Sequence, residues 1–367
     1  MPLTRVIHVV GARPNFMKIA PIMRALAAFP DRFQQFLVHT GQHYDGNMSK
    51  VFFDELDLPR PDVNLEVGSG SHAQQTALIM QRFEPLLLQY RPDWILVPGD
   101  VNSTMACALV AGKLGVRTAH VEAGLRSFDR TMPEEINRVV TDHVADLLFT
   151  PSRDGDRNLE REGIAPDKIR FVGNVMIDTL VRLLPRAEAR WPGLRARFGL
   201  ERFVLVTLHR PSNVDDPRTL GEVMAALAEI GRRLPVLFPV HPRTRKNIDQ
   251  LGLKAPASGL LLVEPLGYLD FLALESHAAL VLSDSGGIQE ETTYLGVPCL
   301  TARPNTERPV TIRDGTNSLV ASRKADLLRG AEAALARRAG TEKTAPPERW
   351  DGRAAERIAA ELAAEAR

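Results

Sequence analysis

Short apolar runs alternate with longer segments whose apolar residues recur at helical spacing along most of the chain. The runs predict buried strands, and the periodic segments predict helices. A regular alternation of the two is typical of a parallel, doubly wound sheet. In the first half of the chain, the predicted strands are 5–10, 33–40, 94–98, 117–121, 147–150 and 169–172, and the predicted helices are 17–27, 73–90, 103–114 and 134–146.

The same pattern restarts in the second half. Two prolines and a loss of apolar period over 185–198 predict a linker that follows a helix. We therefore predict an α/β protein with two Rossmann-like parallel-sheet domains that face each other across a cleft. The first domain is 1–173, joined by a C-terminal helix at 351–367, and the second is 174–350. The strands predicted in the second domain are 203–207, 236–240, 260–263, 280–282 and 297–300, with a helix at 216–234.

Composition narrows the classes of protein to consider. The chain of 367 residues is long enough for two domains, and its hydrophobic fraction of 44% is that of an ordinary globular protein. The net charge is only +1, so neither a nucleic acid nor a membrane surface is predicted as a partner. The two cysteines, Cys107 and Cys299, lack metal-site or disulfide spacing and are expected to be core thiols of a cytoplasmic protein. No signal peptide or membrane-spanning run is predicted.

Polar and charged residues collect where the predicted strands end. Ligands of open parallel sheets bind beyond the carboxyl ends of the strands, so this collection predicts ligand binding. Glu122 precedes Ala123-Gly124, where no helix needs a cap, and this favours a functional role. The residues at strand ends are Arg13, Gln42, His43, Asp100, Glu122, His209, His241 and the turn Ser285-Gly286-Gly287.

The segment 283–291, Ser-Asp-Ser-Gly-Gly-Ile-Gln-Glu-Glu, follows an apolar run and begins a predicted helix. Two residues without a Cβ atom let a ligand approach the backbone, and the amides of a helix N-terminus attract anions. Acidic residues one turn later, including Glu291, are suited to hold the hydroxyl groups of a ribose. The alternative is a simple strand-to-helix turn with Ser285 as the N-cap.

Several candidate residues also have structural interpretations. Arg13 and Lys18 lie at a helix start, where a cation opposes the helix dipole, and this favours a bound phosphate. Asp100 could instead cap the helix that begins near residue 103. Glu134 lies in a helix first turn, where a carboxylate is favourable without any function. His209 ends a strand, and a lone histidine there is as readily structural as functional.

Two motif matches are rejected as cofactor or metal sites. Residues 68–73 fit the G-x-G-x-x-A form of a dinucleotide fingerprint, but no long strand precedes them and no acidic residue follows at the expected distance of about twenty residues. His120, Glu122, Asp142 and His143 match no defined metal-site spacing. A salt bridge or a core histidine is predicted there, and neither NAD nor a metal is expected.

Taken together, these motifs resemble the non-hydrolysing UDP-N-acetylglucosamine 2-epimerases, a family with the two-domain GT-B fold. The resemblance covers nearly the whole chain, and its most specific parts are the middle block and the segment 284–291. The matching motifs are Gly11-Ala12-Arg13-Pro14 with Lys18, Gln42-His43, Gly99-Asp100, the blocks 120–126 and 133–138, His209-Arg210, the block 283–291 and Thr306-Glu307-Arg308-Pro309.

The resemblance implies an isomerase that interconverts UDP-GlcNAc and UDP-ManNAc by anti elimination of UDP to 2-acetamidoglucal and syn readdition. It further implies a UDP-sugar as the partner, no cofactor, a homodimer and a place in polysaccharide biosynthesis. The residues implied in UDP binding are Arg13, Lys18, Phe271, Ser285, Gly286, Gly287, Glu291 and Arg308. Those implied around the sugar and the leaving phosphate are Asp100, Glu122, Glu134 and His209. A second, regulatory site for UDP-GlcNAc is compatible with Gln42, His43, Gln75, Arg210 and His241.

The sequence departs from the family pattern at three positions. Asn15 replaces a common Glu, Pro98 replaces a common His, and Leu266 replaces an expected Gln. These positions border the nucleotide and sugar sites, so an epimerase of UDP-2,3-diacetamido-2,3-dideoxyglucuronate is an alternative. A GT-B glycosyltransferase, a hydrolase that releases N-acetylmannosamine and a non-catalytic sugar-nucleotide sensor are the other classes considered.

Overall fold

The computed structural model describes residues 3–41, 59–252, 259–337 and 345–365. The described strands are β1 (Thr4–Val10), β2 (Phe33–His39), β3 (Val63–Asn64), β4 (Trp94–Pro98), β5 (Arg117–Val121), β6 (Leu147–Thr150), β7 (Ile169–Phe171), β8 (Val204–Thr207), β9 (Val236–Pro239), β10 (Leu260–Val263), β11 (Leu280–Ser283), β12 (Cys299–Thr301) and β13 (Asn317–Leu319).

The helices are distributed between these strands, and a 3₁₀ turn spans Pro166–Lys168. Within the described ranges, no helix has the length and apolar character needed to cross a membrane. The described helices are α1 (Arg13–Ala27), α2 (His72–Tyr90), α3 (Asn102–Lys113), α4 (Pro133–Val144), α5 (Arg153–Arg161), α6 (Val175–Glu188), α7 (Trp191–Phe198), α8 (Pro211–Val214), α9 (Pro217–Gly231), α10 (Pro242–Gln250), α11 (Tyr268–His277), α12 (Gly286–Leu295), α13 (Val310–Arg313), α14 (Lys324–Arg337) and α15 (Ala354–Glu365).

The chain divides into two compact units, and each contains one parallel sheet. The first unit comprises residues 1–179 and 348–367, and the second comprises residues 180–347. The seven-stranded sheet of the first unit has the order β3-β2-β1-β4-β5-β6-β7, and the six-stranded sheet of the second has the order β10-β9-β8-β11-β12-β13. Strand order therefore reverses between β1 and β4 in one sheet and between β8 and β11 in the other. Ligands of doubly wound sheets bind beside such reversals.

Both sheets are buried on their two faces, as expected for parallel strands that are covered by helices. All five residues of β4 and all four residues of β11 are buried. The thiols of Cys107 and Cys299 are free and buried, which confirms that they are core residues. The apolar runs that predicted the strands are therefore the cores of the two units.

The predicted alternation of strands and helices is confirmed, but the predicted linker at 185–198 is wrong. Helix α6 continues to Glu188, with Pro185 in its last turn, and α7 occupies residues 191–198. Pro192 lies at the start of α7, where a helix does not need the missing N–H group. The short edge strands β3 and β13 were not predicted, because runs of two or three residues have no recognisable period.

The C-terminal segment returns to the first unit through defined contacts. Both carboxylate oxygens of Asp178 accept hydrogen bonds from the first turn of α15, from the amides of Ala354 (3.1 Å) and Ala355 (2.6 Å). Gly173 lies against this segment with a φ of +92°, and a Cβ atom there would be 2.1 Å from the carbonyl oxygen of Arg349. Only glycine fits this position, because both the backbone angle and the space exclude a side chain.

We expect Gly173→Ala to lower the free energy of unfolding of the first unit by about 2 kcal/mol or more, because strain at φ > 0 is added to a backbone clash. The measurement is a thermal or denaturant unfolding curve. Gly193→Ala is the matched control, since Gly193 lies in α7 with open space around it, and there alanine should be neutral or slightly stabilising. Equal stability of the two variants would contradict the close approach at Gly173.

Candidate active site

Asp100 and Glu122 lie at the same edge of the first sheet. Strands β4 and β5 are paired in parallel with Pro98 opposite Val121, and the amide of Gly99 donates to the carbonyl of Val121 (2.9 Å). The two carboxylate-bearing residues therefore follow directly from the ends of adjacent strands. This edge adjoins the reversal of strand order between β1 and β4.

Glu122 has an unusual backbone conformation and a buried cationic partner. Its φ of +73° lies in the left-handed region, which a non-glycine residue rarely adopts. Its carboxylate is 2.5 Å from the ammonium of Lys18, and both side chains are more than nine-tenths buried. Gly99 leaves room for this pair, since a Cβ atom there would be 2.9 Å from the Lys18 nitrogen. Strain of this kind occurs at functional sites and supports the functional interpretation of Glu122.

Asp100 does not cap the following helix. The N-cap of α3 is Val101, and no side chain caps it. Instead, the Asp100 carboxylate is 2.5 Å from the guanidinium of Arg138, which also binds Glu135 at 2.7 Å. Arg138 is buried, whereas the Asp100 side chain is one quarter exposed, so its carboxylate is held at the surface of the site by a buried cation.

The two acidic residues at the start of α4 have different surroundings. The Glu135 carboxylate accepts hydrogen bonds from the amide and hydroxyl of Ser127 and from the amide of Phe128, each 2.9 Å long. Burial opposes its ionisation, but Arg138 and Ser127 outweigh that effect and lower the pKa of Glu135. Glu134 is half-buried and has no hydrogen bond or ion pair with another described residue, so its carboxylate is available to a ligand.

A buried ion-pair chain supports the turn that carries Asp100. His120 Nδ1 is 2.6 Å from Asp142, and its Nε2 donates to the carbonyl of Gly99 (2.8 Å). The other oxygen of Asp142 binds Arg126 at 2.7 Å. Burial opposes ionisation of Asp142, but His120 and Arg126 outweigh it and lower its pKa. The prediction of a salt bridge or a core histidine is confirmed, since His120 is fully buried and pairs with Asp142.

In the second unit, His209 and Asp284 follow the adjacent strands β8 and β11, at the reversal of strand order. Asp284 is fully buried, and its carboxylate is 3.0 Å from His209 Nδ1. It also accepts hydrogen bonds from the amides of His209 and Arg210 and from the side chain of Asn213. The imidazole is therefore oriented through Nδ1, while about half of the side chain stays exposed.

The charge of Asp284 is stabilised by these donors. Burial opposes its ionisation, but His209, Asn213 and the amide of Arg210 outweigh that effect and lower the pKa of Asp284. Asp284 belongs to the matching segment 283–291 but is not among the predicted site residues. Its position in the sequence, directly after a predicted buried strand, is the feature that could have identified it as a site residue.

The turn after Asp284 is a helix N-terminus, as predicted. Ser285 is the N-cap residue of α12, but its side chain makes no capping hydrogen bond. A Cβ atom on Gly286 would be 2.6 Å from a guanidinium nitrogen of Arg308, so this cation lies against the first residue of α12, and Gly287 follows in the same turn. Arg308 is buried and pairs with Glu290 at 2.7 Å and with Glu307. A cation at a helix N-terminus opposes the helix dipole, which favours an anion nearby.

The remaining nucleotide candidates are in α11, α12 and α1. Phe271 is half-buried in α11, and Tyr268 of the same helix donates a 2.8 Å hydrogen bond to Glu291 in α12. Arg13 is the first residue of α1, and its side chain lies outside the described residues.

Of the five residues suggested for a second site, Gln75 lies in the first unit, and Arg210 and His241 lie in the second. Gln42 and His43 lie outside the described residues. The side chain of Gln75 is bonded to the carbonyl of Gly68 and to the amide of Asn102.

Arg210 and His241 of that group are N-cap residues. Arg210 donates from Nε to the carbonyl of Asp284 (3.0 Å). His241 begins α10 and accepts the amide of Arg243 at Nδ1. Burial, and then the charges of His209 and Arg243, lower the pKa of His241, so this imidazole is near His209.

Comparison with known proteins decides the family. A sequence profile of UDP-N-acetylglucosamine 2-epimerases matches residues 24–363. The UDP-N-acetylglucosamine 2-epimerase of Methanococcus maripaludis is 43% identical over 335 residues, which cover 89% of this chain and 90% of the relative. The chain belongs to the UDP-N-acetylglucosamine 2-epimerase family.

Two other relatives of this epimerase family bear on the fold and the substrate. The Methanocaldococcus jannaschii UDP-GlcNAc 2-epimerase, crystallised with UDP-GlcNAc and UDP, is 42% identical with a TM-score of 0.89, covering 98% of this chain and 100% of the other. A UDP-2,3-diacetamido-2,3-dideoxy-D-glucuronate 2-epimerase of Pseudomonas aeruginosa is 42% identical over 334 residues, covering 90% of this chain and 92% of the relative.

The family match agrees with the two parallel-sheet α/β domains, and the GT-B class is confirmed. A UDP-glucosyltransferase of Polygonum tinctorium aligns with a TM-score of 0.63 but only 15% identity, covering 98% of each chain. At that identity, the similarity shows the fold alone.

Two departures from the family pattern are in contact with each other. Asn15 accepts the amides of Gly11 (3.2 Å) and Ala12 (2.9 Å) and donates to the carbonyl of Pro98 (2.9 Å). Its side chain thus joins the start of α1 to the end of β4. In this epimerase-family member, the two residues act on the backbone that leads to Asp100.

We expect Asp284→Asn to be destabilising by about 2 kcal/mol at pH 7, because the charged acceptor of several buried donors is lost. The folded-state pKa of Asp284 is lowered, so its charge stabilises the fold above the ordinary aspartate pKa of about 3.9, and this contribution is lost as the pH falls through the folded-state value. The difference between wild type and variant should therefore shrink below about pH 4 in unfolding curves.

Asp249→Asn, at an exposed position of α10, is the matched control and should leave stability unchanged at each pH. A constant difference between wild type and Asp284→Asn from pH 3 to pH 7 would contradict the assignment of a stabilising charge to Asp284.

Proposed function

We propose that this protein interconverts UDP-GlcNAc and UDP-ManNAc by inversion at C2. One observation carries the proposal: in a chain of the 2-epimerase family, three acidic residues lie on neighbouring elements at one sheet edge. Asp100 and Glu122 follow paired strands, and Glu134 lies on the helix whose Arg138 binds Asp100. The relatives that carry the family name are isomerases.

The reaction explains why several carboxylates are needed. The hydrogen on C2 is not acidic, so a base alone does not remove it. Loss of UDP gives oxocarbenium character at C1, which acidifies C2, and a carboxylate then takes the proton to leave 2-acetamidoglucal. Readdition of UDP with protonation from the opposite face completes the inversion. A base and an acid on opposite faces of the sugar are therefore required.

The three carboxyl groups differ in their surroundings. Asp100 and Glu122 each pair with a buried cation, Arg138 and Lys18, which holds the carboxylate in place. Glu134 is half-buried and has no cationic partner among the described residues, so its side chain is open to a ligand. We propose that the base and the acid are among these three residues.

We propose that the second unit binds the UDP part. The amides at the start of α12 supply positive potential for a diphosphate, and the guanidinium of Arg308 lies beside Gly286. The resemblance to the family also implies Arg13 and Lys18 in UDP binding. His209, oriented by Asp284, would protonate or orient the leaving phosphate.

The second candidate substrate is UDP-2,3-diacetamido-2,3-dideoxy-D-glucuronate. The 42% identity to the Pseudomonas enzyme named for it, nearly the same as that to the archaeal UDP-GlcNAc enzymes, supports this alternative. We also propose, from the resemblance alone, a cytoplasmic homodimer in polysaccharide biosynthesis. Light scattering on the purified protein tests the dimer.

The deciding experiment is NMR of the purified protein with UDP-GlcNAc in D₂O. We expect deuterium at C2 and formation of UDP-ManNAc without accumulation of free sugar. Glu122→Gln should lower turnover and exchange by about 10²-fold or more while leaving UDP affinity nearly unchanged. Glu84→Gln, at an exposed position of α2, is the matched control and should behave as wild type.

The outcomes separate the candidate functions. Exchange only with the diacetamido-glucuronate would transfer the assignment to that substrate, and free N-acetylmannosamine would indicate a hydrolase. UDP binding without any exchange would indicate a transferase or a sensor. Full activity of Glu122→Gln would remove Glu122 from the mechanism.

The UDP assignment has a separate test. Gly286→Ala should lower UDP affinity about tenfold or more, because the new methyl group displaces the Arg308 guanidinium and covers the amides of the helix start. Gly221→Ala is the matched control, since Gly221 lies in the first turns of α9 with open space around it. Calorimetric titration with UDP measures both, and equal affinities would contradict a phosphate site at Gly286.

A further inference from the structure

Glu275 is a fully buried carboxyl group that the proposed reaction does not use. It lies near the end of α11, with 0% of the residue exposed. Neither of its carboxyl oxygens accepts a hydrogen bond from a donor in the described part of the chain, and no cation there pairs with it. A carboxylate in such a place is far less stable than the neutral acid, because burial removes its hydration without replacement.

Its polar neighbour is another carboxyl group, that of Glu291 in α12. The two carboxyl groups are close enough to interact directly, and a hydrogen bond between them requires a proton on one of them. Glu291 also accepts the hydroxyl of Tyr268 at 2.8 Å and is only 3% exposed. Two buried carboxyl groups in contact do not both ionise, so the pair holds one proton.

The donors decide which residue holds this proton. Tyr268 stabilises negative charge on Glu291, whereas Glu275 has no such donor. Burial, and then the charge of Glu291, raise the pKa of Glu275 well above its ordinary value. The nearby thiol of Cys299 stays neutral, since burial raises its pKa to about 12. Glu275 is therefore the neutral acid and Glu291 the carboxylate.

We propose that Glu275 is a positioning residue, which donates a hydrogen bond from its protonated carboxyl group to Glu291 and, with Tyr268, fixes that carboxylate to accept hydrogen bonds from the ribose hydroxyls of a uridine nucleotide. The inference rests on the proposed UDP site at α12. It adds a reason for the protonated state: a second carboxylate beside Glu291 would repel the diphosphate, whereas a neutral acid orients Glu291 without adding charge.

Two variants of Glu275 separate positioning from packing. Glu275→Gln keeps the size and a hydrogen-bond donor, so it should retain the wild-type preference for UDP over 2′,3′-dideoxy-UDP. Glu275→Leu keeps most of the volume but has no donor, so it should lose about tenfold in UDP affinity with little change for the dideoxy nucleotide. Glu291→Ala should lose the same preference. Calorimetric titration of each protein with both nucleotides gives the ratios.

The proton itself has a spectroscopic test that needs no ligand. The infrared spectrum of the wild type at neutral pH should contain a protonated carboxyl C=O band that Glu275→Gln lacks. This measurement keeps the inference testable if Glu275→Leu does not fold. Absence of a band difference would overturn the assigned proton.

The results distinguish this inference from the proposed function. A wild-type protein that binds UDP no better than the dideoxy nucleotide would refute the ribose contact and with it the role of Glu275. If the wild type discriminates and Glu291→Ala does not, the ribose contact stands. If Glu275→Leu then keeps the preference for UDP over the dideoxy nucleotide, or if Glu275→Gln loses it, only the positioning role of Glu275 is overturned.

Discussion

Reversal of strand order in each sheet is the constraint on which both candidate sites depend. Parallel strands bring all their carboxyl ends to one edge, and the reversal separates the helices on either side of that edge so that the first residues after two strands are open to a ligand. In the first unit these residues include Asp100 beside the reversal, with Glu122 on the next strand. In the second unit they include His209 and Asp284. The same topological feature thus underlies both candidate sites.

In each site, the candidate residues are paired with buried groups of opposite charge. Lys18 faces Glu122, Arg138 faces Asp100, and Asp284 faces His209, so each exposed or reactive group has a buried counter-charge behind it. A buried ion pair is costly to desolvate and contributes little net stability, but loss of one partner is strongly destabilising. The arrangement therefore orients the groups more than it stabilises the fold.

The sequence was sufficient for the main elements and for placing Asp100, Glu122 and His209 near the sheet edges. Buried parallel strands are nearly continuous apolar runs in the sequence. The residues that follow such a run lie at the sheet edge, whatever the position of the strand in the sheet. For this reason the location of Asp100, Glu122 and His209 was predictable. The pairing of Asp100 with Arg138 was not, because it joins residues 38 positions apart through packing of α3 and α4. Proline content over 185–198 was misleading, since proline is accepted in the first turn of a helix as readily as in a linker.

Asn15 and Pro98, two positions at which the sequence departs from the pattern of the family it resembles, are joined by a hydrogen bond. A residue that replaces a charged family residue near a site is usually taken as an altered ligand contact. Here the carbonyl and amide groups of the Asn15 side chain are both bonded to backbone, one to the start of α1 and the other to Pro98. Pro98 in turn precedes Gly99, whose carbonyl is held by His120. Asn15 therefore joins the start of α1 to the strand end that leads to Asp100, so its side chain has a structural role at the edge of the candidate site.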